Sequence, residues 1–138
     1  MGSDEVILLD THVALWLATN SEMAGPTTRA LAARALADNE LTISAVSFWE
    51  IALLIARKRF DSTKSAAQLR SELAETSVTE LPLTGAIAIL AVELPALHGD
   101  PADRFIAATA IAHDAMLLTA DRRLLRWRHP LKRQDASR

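Results

Sequence analysis

A chain of 138 residues, half of them hydrophobic, is long enough for one domain with a sizeable core and too short for a second large one. With 23% charged residues, 5 Pro and 4 Gly it is not a disordered composition, and the absence of cysteine excludes disulfides, zinc thiolates, iron–sulfur clusters and thiol nucleophiles, so any metal must sit on oxygen or imidazole. The net charge of −2 hides an asymmetry: residues 122–138 hold seven Arg and Lys against one Asp, a net +6, which leaves −8 for residues 1–121.

Such a split suits a protein that grips a polyanion while holding cations on carboxylates, and it equally describes a solvated basic tail. The longest apolar runs, Ile51–Ala56 and Ala86–Val92, fall far short of the roughly 20 residues that span a bilayer, and the first residues are acidic, so the expected location is the cytoplasm. Residues 1–4 are expected to be a vector-derived or unstructured extension.

Val6–Leu9 is an apolar run too compact for a helix; it reads as a strand buried on both faces and ends at Asp10. Thr11 is a cap candidate for a helix carrying Val13, Leu15, Trp16 and Leu17 as far as Asn20, and Pro26 suits the first turn of another through Ala37. Leu41–Ile43 reads as a second strand. Ser44 or Ser47 opens a helix to about Arg59, with Ile51, Leu54 and Ile55 at helical spacing and Arg57-Lys58-Arg59 at the C-terminal end of its dipole. Ser65–Thr76 fits an amphipathic helix, Val78–Leu81 a third strand, Thr84–Leu94 a helix ended by Pro95, and Leu97–Asp100 a loop. Asp100-Pro101 is a helix start for a segment up to His113, and Met116–Thr119 is a fourth strand with Asp121 just past it. Strands alternating with helices imply a parallel sheet wrapped by helices: one three-layer α/β domain over residues 1–138, with a basic tail from about 128 to 138.

In open parallel sheets ligands bind beyond the carboxyl ends of the strands, where this reading puts Asp10 and Asp121. Glu50 in the first turns of its helix, and Asp100 and Asp103 at the start of theirs, can lean over the same edge. Carboxylates that converge raise one another's pKa unless cations neutralise them, and hard oxygen donors select Mg²⁺ or Mn²⁺. Such ions lower the pKa of coordinated water and stabilise charge on phosphoryl oxygens, so the implied chemistry is phosphodiester hydrolysis.

Each acid has a purely structural reading as well. Asp10 could cap the next helix, Ser47-Phe48-Trp49-Glu50 has the pattern of a capping box, Asp100 is an N-cap, Asp103 favours the helix dipole, and Asp121 could open a short helix. The four histidines lack the paired spacing of a zinc site and read as surface or partly packed residues, His98 among them in a loop. Trp16 and Trp49 read as core or interface, and Trp127, between two arginines, as the better candidate to stack on a base. No phosphate-binding glycine loop, serine nucleophile elbow or dinucleotide fingerprint is present.

Taken in order, four segments carry a family resemblance. Leu8-Leu-Asp10-Thr-His-Val-Ala-Leu-Trp-Leu17, Ser44-Ala-Val-Ser-Phe-Trp-Glu50-Ile-Ala, Asp100-Pro-Ala-Asp103-Arg-Phe-Ile-Ala-Ala-Thr-Ala110 and Leu117-Leu-Thr-Ala-Asp121 resemble the successive motifs of PIN-domain proteins, specifically VapC-type toxins of bacterial toxin–antitoxin pairs. The resemblance covers nearly the whole chain and outweighs the individual capping explanations.

It implies a three-layer α/β/α PIN-like fold with a mostly parallel central sheet and a Mg²⁺- or Mn²⁺-dependent endoribonuclease site of Asp10, Glu50, Asp103 and Asp121. It also implies Asp100 as a supporting acid, Thr11, Ser44 and Thr119 as hydroxyls that orient the carboxylates, a homodimer, and inhibition by a cognate VapB-like antitoxin lying across the site. For RNA contact the candidates are Arg104, Arg122, Arg123, Arg126, Trp127 and Arg128. Two rivals stand beside this reading: a non-catalytic RNA- or antitoxin-binding module of the same fold, and a metal-dependent DNA nuclease, for which 138 residues leave little room.

Overall fold

Ile7–Leu9 form β1, the central strand of a five-stranded parallel sheet in the computed structural model, which describes residues 5–138. The extension expected over residues 1–4 lies outside the described residues. Chain order continues through α1 (Thr11–Ala18), α2 (Pro26–Ala37), β2 (Leu41–Ser44), α3 (Ala45–Ala56), α4 (Ala66–Ala74), β3 (Thr79–Leu81), α5 (Gly85–Glu93), α6 (Pro101–Ala112), β4 (Met116–Thr119), α7 (Arg122–Arg126) and β5 (Arg133–Asp135).

The strands lie in the order β3-β2-β1-β4-β5. From β1 the chain therefore builds outward through β2 and β3, then crosses back to lay β4 on the other side of β1. That reversal creates a crevice outside the carboxyl ends of β1 and β4, whose register pairs Leu9 with Leu118.

Successive residues of the central strands face opposite layers, as the two-residue period requires. Leu8 and Leu117 pack with Ile87, Ile106, Leu124 and Trp127 beneath α5, α6 and α7, whereas Ile7, Leu9, Ile43 and Leu118 pack with Val13, Ala14, Ala32 and Ala35 of α1 and α2. Among the described residues no helix is long and apolar enough to cross a membrane.

Three local differences from the sequence reading follow from where the helices begin. Asp10, not Thr11, caps α1, because β1 runs into the helix with only one residue between them. Ser44 caps α3, its Oγ accepting a bond from Val46 N at 3.1 Å, so the expected capping box over Ser47–Glu50 does not form and Glu50 is the sixth residue of the helix. A capping box forms instead at Ser65 and Gln68, at the start of α4.

The basic segment expected as a tail is folded. β5 pairs in parallel with β4, matching Leu118 to Gln134 and Thr119 to Asp135, and Leu131 and Ala136 are buried beside it. Beyond β5 the backbone reaches α2: Gly25 N donates to Ala136 O at 2.9 Å and Thr28 N to Arg138 O at 3.0 Å. Glycine is needed there, since a Cβ at position 25 would collide with the main chain of Arg138.

Candidate metal centre

The crevice at the ends of β1 and β4 is lined from both strands. Asp10 is buried, with one carboxylate oxygen accepting from Thr11 N at 2.8 Å and the other from the Thr119 hydroxyl at 2.6 Å. Two residues past β4, Asp121 caps α7 by accepting from Arg123 N at 2.8 Å and Leu124 N at 3.4 Å, and Asp121 N in turn donates to Thr119 Oγ1 at 3.1 Å. Thr119 thus ties the two acids to one hydroxyl.

Asp103 enters from the first turn of α6, which Asp100 caps by accepting from Asp103 N at 3.3 Å. Its Oδ2 meets His98 Nε2 at 2.7 Å and Arg123 Nη2 at 3.5 Å. His98, Asp103 and Asp121 each offer one ligand atom, and all three atoms lie within 4.8 Å of one another. Glu50 faces the same crevice from α3. The Thr11 hydroxyl beside it directs its proton to Ser47 Oγ at 2.9 Å, and Glu50 Oε1 is buried without a hydrogen-bond partner.

The electrostatics are those of like charges confined together. Burial, then the charges of Asp10, Asp100, Asp121 and Glu50, push Asp103 up to about 8. Burial raises Asp10 despite the bonds from Thr119 and Thr11, and burial also raises Glu50 against the opposing pull of the nearby Thr11 hydroxyl, with Asp10 adding to the shift. Burial works in the same direction on Asp121, but the side-chain and backbone bonds from Arg123 outweigh it and hold that carboxyl below the usual range. His98 is lowered by burial and by the neighbouring Arg123 charge, and its Nε2 lies in close hydrogen-bonded contact with Asp103 Oδ2.

Hydrogen bonds do not satisfy this donor set: Glu50 Oε1 lacks a donor, and burial with four neighbouring acids pushes Asp103 up. Carboxylate oxygens in that condition fit a hard divalent cation.

Of the residues expected to support the acids, Thr119 bonds to one directly, Asp100 acts through the backbone of Asp103 and by its charge, and Thr11 gives its backbone N–H to Asp10. Ser44 caps α3 instead of touching a carboxylate. Two RNA-contact candidates are corrected. The Arg104 guanidinium is bonded to five main-chain carbonyls, those of Ala91, Val92, Leu94, Leu97 and His98, at 2.7–3.1 Å. Trp127 is 4% exposed, donates Nε1–H to Pro95 O at 2.8 Å and stacks on His129 at 4.1 Å, so its face is not open to a base. Arg123 sits on Asp103 and Asp121, and Arg122, Arg126 and Arg128 are exposed. The residue that the sequence reading missed is His98. No linear spacing could have marked it, because its partners come from α6 and from beyond β4.

A PIN-domain family model matches residues 7–129. The chain is 39% identical over 127 residues, 90% of its own length and 93% of the relative's, to Ribonuclease VapC22 of Mycobacterium tuberculosis (strain ATCC 25618 / H37Rv). In fold it is similar to DNA-bound VapBC from Salmonella typhimurium, with a TM-score of 0.68, 16% identity and coverage of 95% and 98% of the two chains. It is likewise similar to VapBC2 from Rickettsia felis bound to a DNA fragment from their promoter, with a TM-score of 0.66, 18% identity and coverage of 94% and 97%.

Proposed function

The chain belongs to the PIN-domain family, in its VapC group, and on that premise we propose that it is a toxin endoribonuclease that hydrolyses RNA phosphodiester bonds with a divalent cation, Mg²⁺ or Mn²⁺, held by Asp10, Glu50, Asp103 and Asp121. The observation that carries the reading is the meeting of these acids at the sheet's reversal point, with Glu50 Oε1 buried and unpartnered and Asp103 pushed up to about 8. A bound divalent cation would supply water of lowered pKa and charge neutralisation on phosphoryl oxygens.

The chain's own groups do the positioning. Thr11 N and Thr119 Oγ1 fix both oxygens of Asp10, the N-terminus of α7 fixes Asp121, and the start of α6 fixes Asp103. Holding carboxylates in advance of substrate avoids reorganisation during the reaction. Arg122, Arg126 and Arg128, exposed on the +6 segment, are suited to RNA phosphates and would act without sequence preference.

A VapB-like antitoxin and a second copy of the chain are the proposed partners. The relatives' naming as VapBC assemblies supports the first, and apolar side chains left in solvent support a covered surface, Trp49 being 54% and Val92 78% exposed.

The test is incubation of purified wild type and Asp10→Asn with total cellular RNA in Mg²⁺, Mn²⁺ or chelator, with cut ends mapped by sequencing. Discrete cuts by wild type with metal only, absent in Asp10→Asn, are expected. Binding of RNA without cuts in either metal, from a preparation free of antitoxin, would favour the non-catalytic module, and preferential cutting of a DNA competitor would favour a DNA nuclease.

A further inference from the structure

Resting on the cation site just proposed, we infer that His98 is a nitrogen ligand of that site and gives it a preference for Mn²⁺ over Mg²⁺. The geometry gathers three possible ligand atoms at one point. His98 Nε2 is 2.7 Å from Asp103 Oδ2, and ligand atoms of His98, Asp103 and Asp121 all lie within 4.8 Å of one another. Two donors bound to one ion at about 2.0–2.2 Å each can be no more than about 4.4 Å apart. The three atoms lie near that spacing, and Arg123, which contacts both carboxylates, would have to give way to an ion.

The loop that carries the imidazole is held from several sides. Arg104 donates to the carbonyls of Leu97 and His98 at 2.7 and 3.1 Å while gripping three more at the end of α5, and Trp127 Nε1 fixes Pro95 O at 2.8 Å. The left-handed conformation of Ala96, with φ of 57°, is stabilised by this clamp. Loop residues anchored so firmly can present a ligand within the tolerance that coordination needs. His98 Nε2 faces Asp103 Oδ2 and Nδ1 is buried without a hydrogen-bond partner, so ligation through Nε2 would replace the Asp103 contact and place the ring proton on Nδ1.

The chemical consequence concerns which ion is held. Oxygen donors alone suit Mg²⁺, Ca²⁺ and Mn²⁺, whereas imidazole favours transition metals, so one nitrogen among carboxylates tilts the site toward Mn²⁺.

Electron spin-echo spectroscopy of Mn²⁺ bound to the full chain tests this without reference to cleavage. Wild type is expected to show ¹⁴N modulation that changes to the ¹⁵N pattern when only the histidines are ¹⁵N-labelled. His98→Gln is expected to lose it and to lower the Mn²⁺ to Mg²⁺ affinity ratio by at least about 10-fold, the lower end of what disturbing a ligand's surroundings alone does to metal affinity. His12→Gln is the control, since His12 is the histidine whose charge acts on Asp10 and Glu50; it should keep the signal. Bound Mn²⁺ without nitrogen modulation in wild type, or modulation surviving in His98→Gln, overturns the assignment and leaves His98 as an orienting partner of Asp103. Failure of wild type to bind Mn²⁺ at all overturns both the assignment and the cation site beneath it. The labelled wild-type spectrum decides even if a variant folds poorly.

Discussion

Four acids press on Asp103, and its response to them can be read in the pH dependence of stability. Its pKa in the folded chain is raised from 3.8 to about 8, first by burial and then by Asp10, Asp100, Asp121 and Glu50. A raised carboxyl favours the folded state fully only below its unfolded value, and that favour is lost as pH rises through the folded value, here between roughly pH 4 and pH 8. Asp103→Asn removes the dependence. In chelator the variant should therefore be more stable than wild type at pH 8.5, by a margin that shrinks toward pH 5, and it should not cut RNA; urea midpoints that differ equally at both pH values would contradict the assignment. Thr119 makes a complementary case. Its hydroxyl donates to Asp10 at 2.6 Å and accepts from Asp121 N at 3.1 Å, and it is fully buried. Thr119→Val leaves a buried acceptor and a buried donor unpaired, which should cost about 1–3 kcal/mol in denaturant unfolding and reduce cleavage well beyond what the remaining folded fraction explains.

Elements differ in how far local pattern determines them, and the site shows the same division. The central strands were legible because Ile7–Leu9 and Met116–Thr119 must be apolar on both faces when helices cover both sides of a parallel sheet. β5 was not, because Arg133-Gln134-Asp135 is polar, and an edge strand has no second neighbour to demand otherwise. Asp10 and Asp121 were legible as residues just past strands. Glu50 carried a competing capping-box pattern that only the junction of β2 with α3 at Ser44 removes, and His98 depends on a contact between a loop and α6 that has no sequence period. Arg104, a candidate for RNA contact, is likewise decided by contacts without a sequence period: its guanidinium closes the turn from α5 to α6. Arg104→Gln should accordingly destabilise the fold by roughly 2–4 kcal/mol and speed amide exchange across Leu94–His98, because several carbonyls lose a charged donor at once. Arg122→Gln, on an exposed side chain, should change stability by no more than about 0.5 kcal/mol. Equal effects of the two substitutions would dismiss the clamp.

For the whole molecule, the site and the fold compete for the same charges. Asp10, Glu50 and Asp103 are all raised by burial, so bringing them together at the reversal point of the sheet opposes folding once they ionise. Proteins keep such an arrangement where function requires it. A divalent cation and protons are then rivals for the same oxygens, since a carboxylate must lose its proton to bind metal. Binding to the folded chain alone adds RT ln(1 + [L]/Kd), about 2.7 kcal/mol at a concentration 100 times Kd. Apparent affinity should strengthen as pH rises through 8, the value for Asp103, so a fixed Mn²⁺ concentration should raise Tm more at pH 8.5 than at pH 6. Chelator-treated protein should instead melt lower at pH 8.5 than at pH 6, as its unpaired acids ionise, so the curves with and without metal diverge with pH. Matching ionic strength with sodium chloride separates site binding from general screening, which would act on the −8 of residues 1–121 as a whole. A metal-induced rise in Tm that is the same at both pH values, or that sodium chloride reproduces, would show that the clustered carboxylates do not hold the ion.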